Sequence, residues 1–415
     1  MCVKTQMTPP HRAWYFLLCY CAYSAYTLDF VIRKAIQPQL MELYHLSAPE
    51  LAAHYHMVYW GLVAGTILFG CLVNMLNFRT CFILIWVCQI LGLVKLLALS
   101  PIILTTPMIH QFKSGIFLMG LAEGGIFALI HPLIALIFQV PGQSKVKFMA
   151  YLHTNWPLFT VIGVLFEQTI VHYHLDWYLN IYVILIFPCL YLVLALFLPL
   201  PSHSLKHHIP LSSRIKSTIR PGYFLLFFCM LFATTIENSP QVWIRNVIES
   251  HLQINGINSL FFLIYGSSLQ FICRLFAGSI TQRISPPALL CIASVLCVMS
   301  LYLLSISNQT TWSIIPAGIF AASIALYWPI YIAIIADRYP LSGGFGMGLM
   351  NSAGFLSMIL TVPTVAKLSQ LEGLSGAFLI LTWYGILTLI LLSAVYAFFR
   401  SQGGYKVFSY SERSL

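Results

Sequence analysis

Charge is scarce in this chain: Asp, Glu, Lys and Arg make up 8% of its 415 residues, where a soluble domain carries about 25%. Hydrophobic residues reach 59%, and a water-soluble fold cannot hide that much apolar surface. Period-two alternation is missing, which excludes a transmembrane barrel. Apolar stretches of about 20 residues recur instead, so the spans are helices whose backbone bonds close internally. Missing too are a CxxC pair and any paired His and Cys spacing. The 11 cysteines, Cys19, Cys88, Cys229, Cys273 and Cys297 among them, sit mostly inside apolar stretches and read as small buried residues, with no metal and no cofactor implied. The stretch SGGFGMGLMNSAG, Ser342 to Gly354, has neither the Walker lysine nor a preceding strand, so it is no phosphate loop. Its small residues suit close helix packing. The net charge of +10 has no soluble basic face to sit on, which argues against nucleic acid as a partner. Acids, histidines and nucleophiles are scattered over separate helices, which argues against an enzyme.

What the chain does have is twelve apolar segments, at 14–36, 53–76, 80–99, 113–138, 147–170, 175–199, 222–244, 256–281, 286–306, 312–336, 344–367 and 374–399. The first follows Lys4, Pro9, Pro10 and Arg12 and lacks a small-residue cleavage site, so it stays as an anchor. Residues 200–221, which contain PSHSLKHHIPLSSRIKSTIRP, are proline-rich and basic without an acid. The expected architecture is therefore an all-α integral membrane protein. It has an N-terminal six-helix bundle at 1–199, a cytoplasmic linker at 200–221, a second six-helix bundle at 222–399 and a cytoplasmic tail at 400–415. Most of the 21 Lys and Arg residues fall in loops on one side, among them Arg79, Lys145, Arg214, Arg220, Arg283, Arg338 and Arg400. This bias puts both termini in the cytoplasm. The expected address is a bacterial inner membrane.

A charge in the hydrocarbon costs about 2.5–3.5 kcal/mol on insertion scales, so each one needs a partner, a wet cavity or a function. The charged residues inside spans are Asp29, Arg33, Lys34, Lys95, Glu123 and Arg274, with Glu167 and Glu237 nearer the span ends. Asp29 and Arg33, four residues apart, either form an internal ion pair that leaves Lys34 without a local partner, or offer their charges to substrate or proton. Glu123, between Ala122 and Gly124, is either a proton carrier or a neutral acid bonded across helices. His131 and His153 are proton relays, substrate partners or polar packing. Arg274 and Arg283 read as anchors or gate groups at the cytoplasmic end of the eighth span. Trp60, Trp156, Trp243 and Trp328 lie deeper than the interfacial Trp14, Trp177 and Trp312 and are candidates for stacking on a sugar ring. Trp156 and Trp328 each precede a proline, whose missing donor breaks the helical ladder and can bend the span toward a cavity.

Corresponding loops of the two halves repeat weakly. GCLVNMLNFR at 70–79 and GSITQR at 278–283 both place a glycine near a span end and an arginine just inside. This turn resembles a degenerate signature loop of the major facilitator superfamily, with Asn74 where an acid is expected. The stretch from Leu118 to Gly163 resembles the fucose:proton symporter-like branch of that superfamily at Leu152, His153, Trp156 and Pro157, with His131 in place of an asparagine. So do Trp328, Pro329, Asp337, Arg338, Tyr339, Pro340, Gly343, Gly344, Gly348, Asn351, Gly354 and Pro363, together with Glu237 and Trp243. The branch often carries a glutamate where this chain has Phe127, and Glu123 lies one turn earlier on roughly the same face.

The resemblance implies a secondary transporter that moves a small hydrophilic organic solute by alternating access, with protons and the bilayer as its other partners. Its gating loops would be those of Asn74, Arg79, Arg283, Asp337 and Arg338. By resemblance the solute is sugar-like. By charge, Arg33, Lys34 and Lys95 suit a carboxylate or a carboxylate-type siderophore. A transport-like membrane receptor without turnover is the alternative, kept open by the altered signature loop and the displaced glutamate.

Overall fold

The structure, a computed structural model, describes residues 9–98, 106–140, 142–175, 178–201, 209–251, 256–306 and 310–408. The first eight residues, 202–208 of the expected linker, Trp177 and 409–415 of the expected tail lie outside the described residues, as do the side chains of Trp243 and Trp312. All described elements are helical: α1 Pro9–Ala35, α2 Gln37–Tyr44, α3 Ala48–Leu72, α4 Phe78–Leu97, α5 Thr106–Ile137, α6 Val146–His153, α7 Asn155–His172 and α8 Tyr178–Phe197. After α9 Leu211–Thr218 come α10 Pro221–His251, α11 Gly256–Ile280, α12 Pro286–Ile306, α13 Thr310–Ile324, α14 Tyr327–Arg338, α15 Gly343–Leu360 and α16 Val362–Ser401.

Ten stretches of these helices are long and apolar enough to cross a membrane. The shorter apolar stretch 182–197 in α8 and the α6–α7 pair complete the twelve spans expected, arranged as two six-helix bundles. Two spans are interrupted, and the cause is local. Pro157 and Pro329 stand at the third position of α7 and α14, where a missing N–H and a fixed φ suit a helix start but not the middle of a span. The fifth span is thereby cut into α6 and α7, and the tenth into α13 and α14. Gly373, at φ +67°, takes the left-handed turn that separates the eleventh span from the twelfth within α16. Asn77 caps α4 by accepting from the Thr80 amide at 2.7 Å, which satisfies one of the amides left free at a helix start.

Small residues set the closest approaches. Gly120 and Gly124 of α5 lie against the Val58 and Leu62 carbonyls of α3, and Gly61 and Gly65 of α3 lie against the Phe117 and Leu121 carbonyls of α5. This reciprocal pattern is the usual way helices meet where no hydrophobic force drives them together. The same device joins the bundles. Gly348 of α15 sits on the Thr66 carbonyl of α3, and Gly344 meets Val73 and Gly70, so the small residues from Ser342 to Gly354 do serve close packing. An added methyl at Gly124 would run into the Leu62 carbonyl. Gly124→Ala is expected to lower stability by about 1–3 kcal/mol, read as an earlier thermal unfolding of the detergent-purified protein, while Gly266→Ala, whose added methyl meets only the Ala321 side chain at 3.7 Å, changes it far less.

Candidate functional site

The spans converge on a small cavity of about 20 Å³, room for roughly one water. It is lined by Tyr23 and Tyr26 of α1, Phe127 of α5, His153 of α6, Trp156 of α7, Glu237 and Asn238 of α10, Arg274 of α11 and Trp328 of α14. Trp156 lies 5.7 Å from Tyr26, ring centre to ring centre, in a stacked geometry, and Phe127 meets Tyr26, Trp328 and Phe355 edge-on or tilted. Phe127 thus fills with a ring the position where the branch resembled by the sequence carries a glutamate.

Arg274 organises this cavity. A proline at 157 cannot donate to the carbonyl four residues back, and neither can a proline at 329, so His153 and Ala325 each keep a free carbonyl. The Arg274 guanidinium takes both: Nη1 donates to the His153 carbonyl at 2.8 Å and Nε to the Ala325 carbonyl at 3.0 Å. Its Nη2 faces Glu237 Oε1 at 3.5 Å. Arg274 is therefore a central group, and the expectation of an anchor at the end of the eighth span is corrected. The two Trp-Pro pairs were the available signal, because each orphaned carbonyl in lipid requires a donor. The other oxygen of Glu237, Oε2, is buried without a hydrogen-bond partner among the described residues, on a side chain that lines the cavity.

A chain of side-chain bonds crosses between the bundles beside the cavity. Trp328 Nε1 donates to Asn351 Oδ1 at 3.0 Å, and Asn351 Nδ2 faces His131 Nδ1 at 3.0 Å. His131 Nε2 faces His153 Nε2 at 3.0 Å, and His153 Nδ1 faces the Tyr23 hydroxyl at 3.0 Å. The two imidazoles are fully buried and nearly coplanar, inclined by 7°.

The cations singled out in the first bundle do not reach the cavity. Arg33 pairs with Glu123 at 2.7 Å and with Asp29 at 3.5 Å, so the expected Asp29–Arg33 pair is one arm of a buried triad linking α1 to α5. Lys34, expected to lack a local partner, lies over the Phe30 ring at 4.2 Å. Lys95 donates to Ser114 Oγ at 3.1 Å, joining α4 to α5 away from the cavity lining. Both lysines are corrected as candidates for the cavity itself.

On the face where α14 ends, Asp337 of the second bundle accepts from Ser144 Oγ at 2.6 Å and Lys145 Nζ at 3.0 Å of the first. It also accepts from the Tyr405 hydroxyl at 2.8 Å. Arg338 is held between the Phe399 and Phe408 rings and donates to Gln402 at 2.8 Å. Asn74 donates to its own helix at the Gly70 carbonyl, 2.6 Å, and its oxygen lies beside Gly343 at the start of α15. Arg79 donates to the Ala195 and Leu198 carbonyls at the end of α8, an attachment within the first bundle, and Arg283 is exposed. Neither arginine bridges the bundles in this conformation. Ser144, Lys145 and Tyr405 supply what those arginines do not.

Twelve spans around a cavity between two bundles define a polytopic membrane transporter fold. A family model for the Major Facilitator Superfamily matches residues 18–362, and the chain belongs to that superfamily. Among curated proteins no sequence relative matches it. Among solved structures it is similar to the E. coli fucose:proton symporter FucP, with TM-score 0.72 and 13% identity over 94% of this chain and 98% of that one. It is similar to the human organic anion transporter MFSD10, with TM-score 0.71 and 14% identity over 93% and 100%. It is also similar to the proton:xylose symporter XylE bound to 6-bromo-6-deoxy-D-glucose, with TM-score 0.76 and 12% identity over 93% and 96%. At these identities the likeness is one of fold.

Removing one member of the triad strands the others. Arg33→Met is expected to destabilise the protein by about 3–5 kcal/mol, whereas Asp29→Asn/Arg33→Met/Glu123→Gln recovers most of that loss. Thermal unfolding of the three proteins in one detergent measures both effects.

Proposed function

We propose that the protein is a proton-coupled secondary transporter that moves a small neutral polar solute, sugar-like in its hydroxyl pattern, by alternating access. The observation that carries this reading is the unpartnered Glu237 Oε2 in a cavity walled by Tyr26, Trp156 and Trp328. A buried carboxylate oxygen wants a donor, which a sugar hydroxyl supplies, and the aromatic faces suit the apolar side of a sugar ring. The charge argument for a carboxylate or siderophore substrate loses its support. Arg33 is committed to two carboxylates, Lys34 and Lys95 lie elsewhere, and Arg274 carries two backbone carbonyls and Glu237.

In this reading Glu123 and Asp29, sharing one arginine, take and release the coupling proton. The clasp of Asp337 with Ser144 and Lys145, together with the packing of α15 on α3, closes the linker-side face, which the positive-inside bias assigns to the cytoplasm. The conformation is then closed to the inside, with 1–199 and 222–399 as the two moving units, 200–221 as their linker, and a bacterial inner membrane as the setting. The chain has no catalytic role in this account and needs no cofactor.

Binding of labelled sugars, organic acids and ferric siderophores to the protein in proteoliposomes, followed by uptake with and without an imposed proton gradient, tests the proposal. A neutral sugar-like solute is expected to bind, with Glu237→Gln weakening it by about 10-fold, the value of one hydrogen bond to a charged group. Glu123→Gln is expected to keep binding and lose gradient-driven accumulation. A carboxylate ligand that depends on Arg33, or binding with no flux, overturns the reading. Asp337→Asn is expected to raise labelling of a cysteine introduced at Asn238 by a thiol reagent added on the linker side, because the clasp that closes that face is weakened.

A further inference from the structure

The direction of every bond in the chain from Trp328 to Tyr23 follows from its first member. An indole nitrogen only donates, so Asn351 presents its oxygen to Trp328 and its amide nitrogen to His131. His131 Nδ1 is then an acceptor, and its proton sits on Nε2. That proton is donated to His153 Nε2, which leaves the His153 proton on Nδ1, facing the Tyr23 oxygen. Both rings are neutral, every ring lone pair is in use, and the Tyr23 hydroxyl proton is left to point into the cavity.

One more proton does not fit this arrangement without breaking a bond. Arriving at His131 Nδ1, it makes that nitrogen a donor facing the Asn351 amide donor. The Nε2 proton then rests on either ring, passing along the 3.0 Å contact to His153 Nε2, and in both forms Nδ1 stays a donor. Turning the Asn351 amide over does not rescue the link, because its nitrogen also donates to the Met347 carbonyl at 2.9 Å and its oxygen holds Trp328. Rotation loses two bonds to save one.

We propose that His131 and His153 together form a one-proton site, and that filling it releases Asn351 and so parts the His131–Asn351 hydrogen bond between the two bundles, leaving the Arg274 bond to the His153 carbonyl in place. The proposal rests on the transporter reading and adds a second proton site to it, separate from Glu123. Asn351 and Trp328 are its positioning residues. The groups facing the pair are few. Tyr23 comes from α1, Arg274 comes from α11 on the His153 carbonyl, and Glu237 of α10 stands behind Arg274. The neighbours from α14 and α15 are Trp328 and Asn351, neither of which titrates. Arg274 is tied to Glu237, so the charge gained by the pair is the new one at the centre.

The test uses the full chain in lipid nanodiscs, without any solute. Histidine ¹⁵N spectra report which ring nitrogens carry protons, with His131→Asn and His153→Gln identifying the signals. Fluorescent residues at the exposed positions Met75 and Gln282, one in each bundle, report separation on the linker side. Acidification from about pH 8 to about pH 5, the range in which imidazoles serve as switches, is expected to turn one ring of the pair into an imidazolium and to lengthen the Met75–Gln282 distance. His131→Asn, which can still bond Asn351, is expected to lose the pH response. His153→Gln loses it too, Glu123→Gln keeps it, and Asn351→Ala shows the longer distance at both pH values. A response that survives both histidine substitutions, or that disappears with Glu123→Gln, overturns the proposal, as does a pair that stays neutral throughout. A pH-driven separation with no flux of any solute would keep the histidine site and sink transport. Gradient-driven flux unchanged in His131→Asn would do the reverse.

Discussion

Two backbone carbonyls that lack a hydrogen-bond donor hold the centre of this protein together. Proline at 157 and at 329 breaks one span in each bundle, and in lipid the freed carbonyls of His153 and Ala325 cannot turn to water. Arg274 answers both at once. Its guanidinium is planar with donors in fixed directions, a geometry a lysine does not have. Because the two carbonyls belong to different bundles, the same side chain that completes the helices also ties the halves together and holds Glu237 beside the cavity.

From this follows the electrostatic character of the site. A chain with few charged residues has used most of the buried ones on each other: Arg274 with Glu237, Arg33 with Asp29 and Glu123, Lys145 with Asp337. Pairing lowers the cost of placing each ion in the membrane. It also leaves the cavity without an unengaged cation, so recognition there falls to hydroxyls, aromatic faces and one spare carboxylate oxygen.

The spans were legible because length and hydropathy alone determine them. The interruptions were half legible: the Trp-Pro pairs marked the places, but not the partner that the breaks require. Glu237, His153, Trp156 and Trp328 were named from residue type and motif and do line the cavity, whereas Lys95 and Arg79 were named and face elsewhere. Position along a span gives depth, and only the helix's rotation gives the face. For an isolated lysine in an apolar stretch no periodic pattern records that rotation. Asp337 was legible as a gate candidate, but its partners were not, since Ser144 and Lys145 lie almost two hundred residues away in the chain.

Residues just past the last span also belong to the clasp. Tyr405 donates to the Asp337 carboxylate, the Phe408 amide donates to the Asp337 carbonyl at 2.9 Å, and Phe399 and Phe408 hold Arg338 between their rings. A version cut after Ser401 would keep every span and the whole cavity lining, yet its resting conformation would be less firmly closed. For anyone adding a fusion partner, the site of the junction is therefore a choice of conformational balance. Spliced before Tyr405 it loosens the clasp, and joined beyond Phe408 it leaves the clasp as it is.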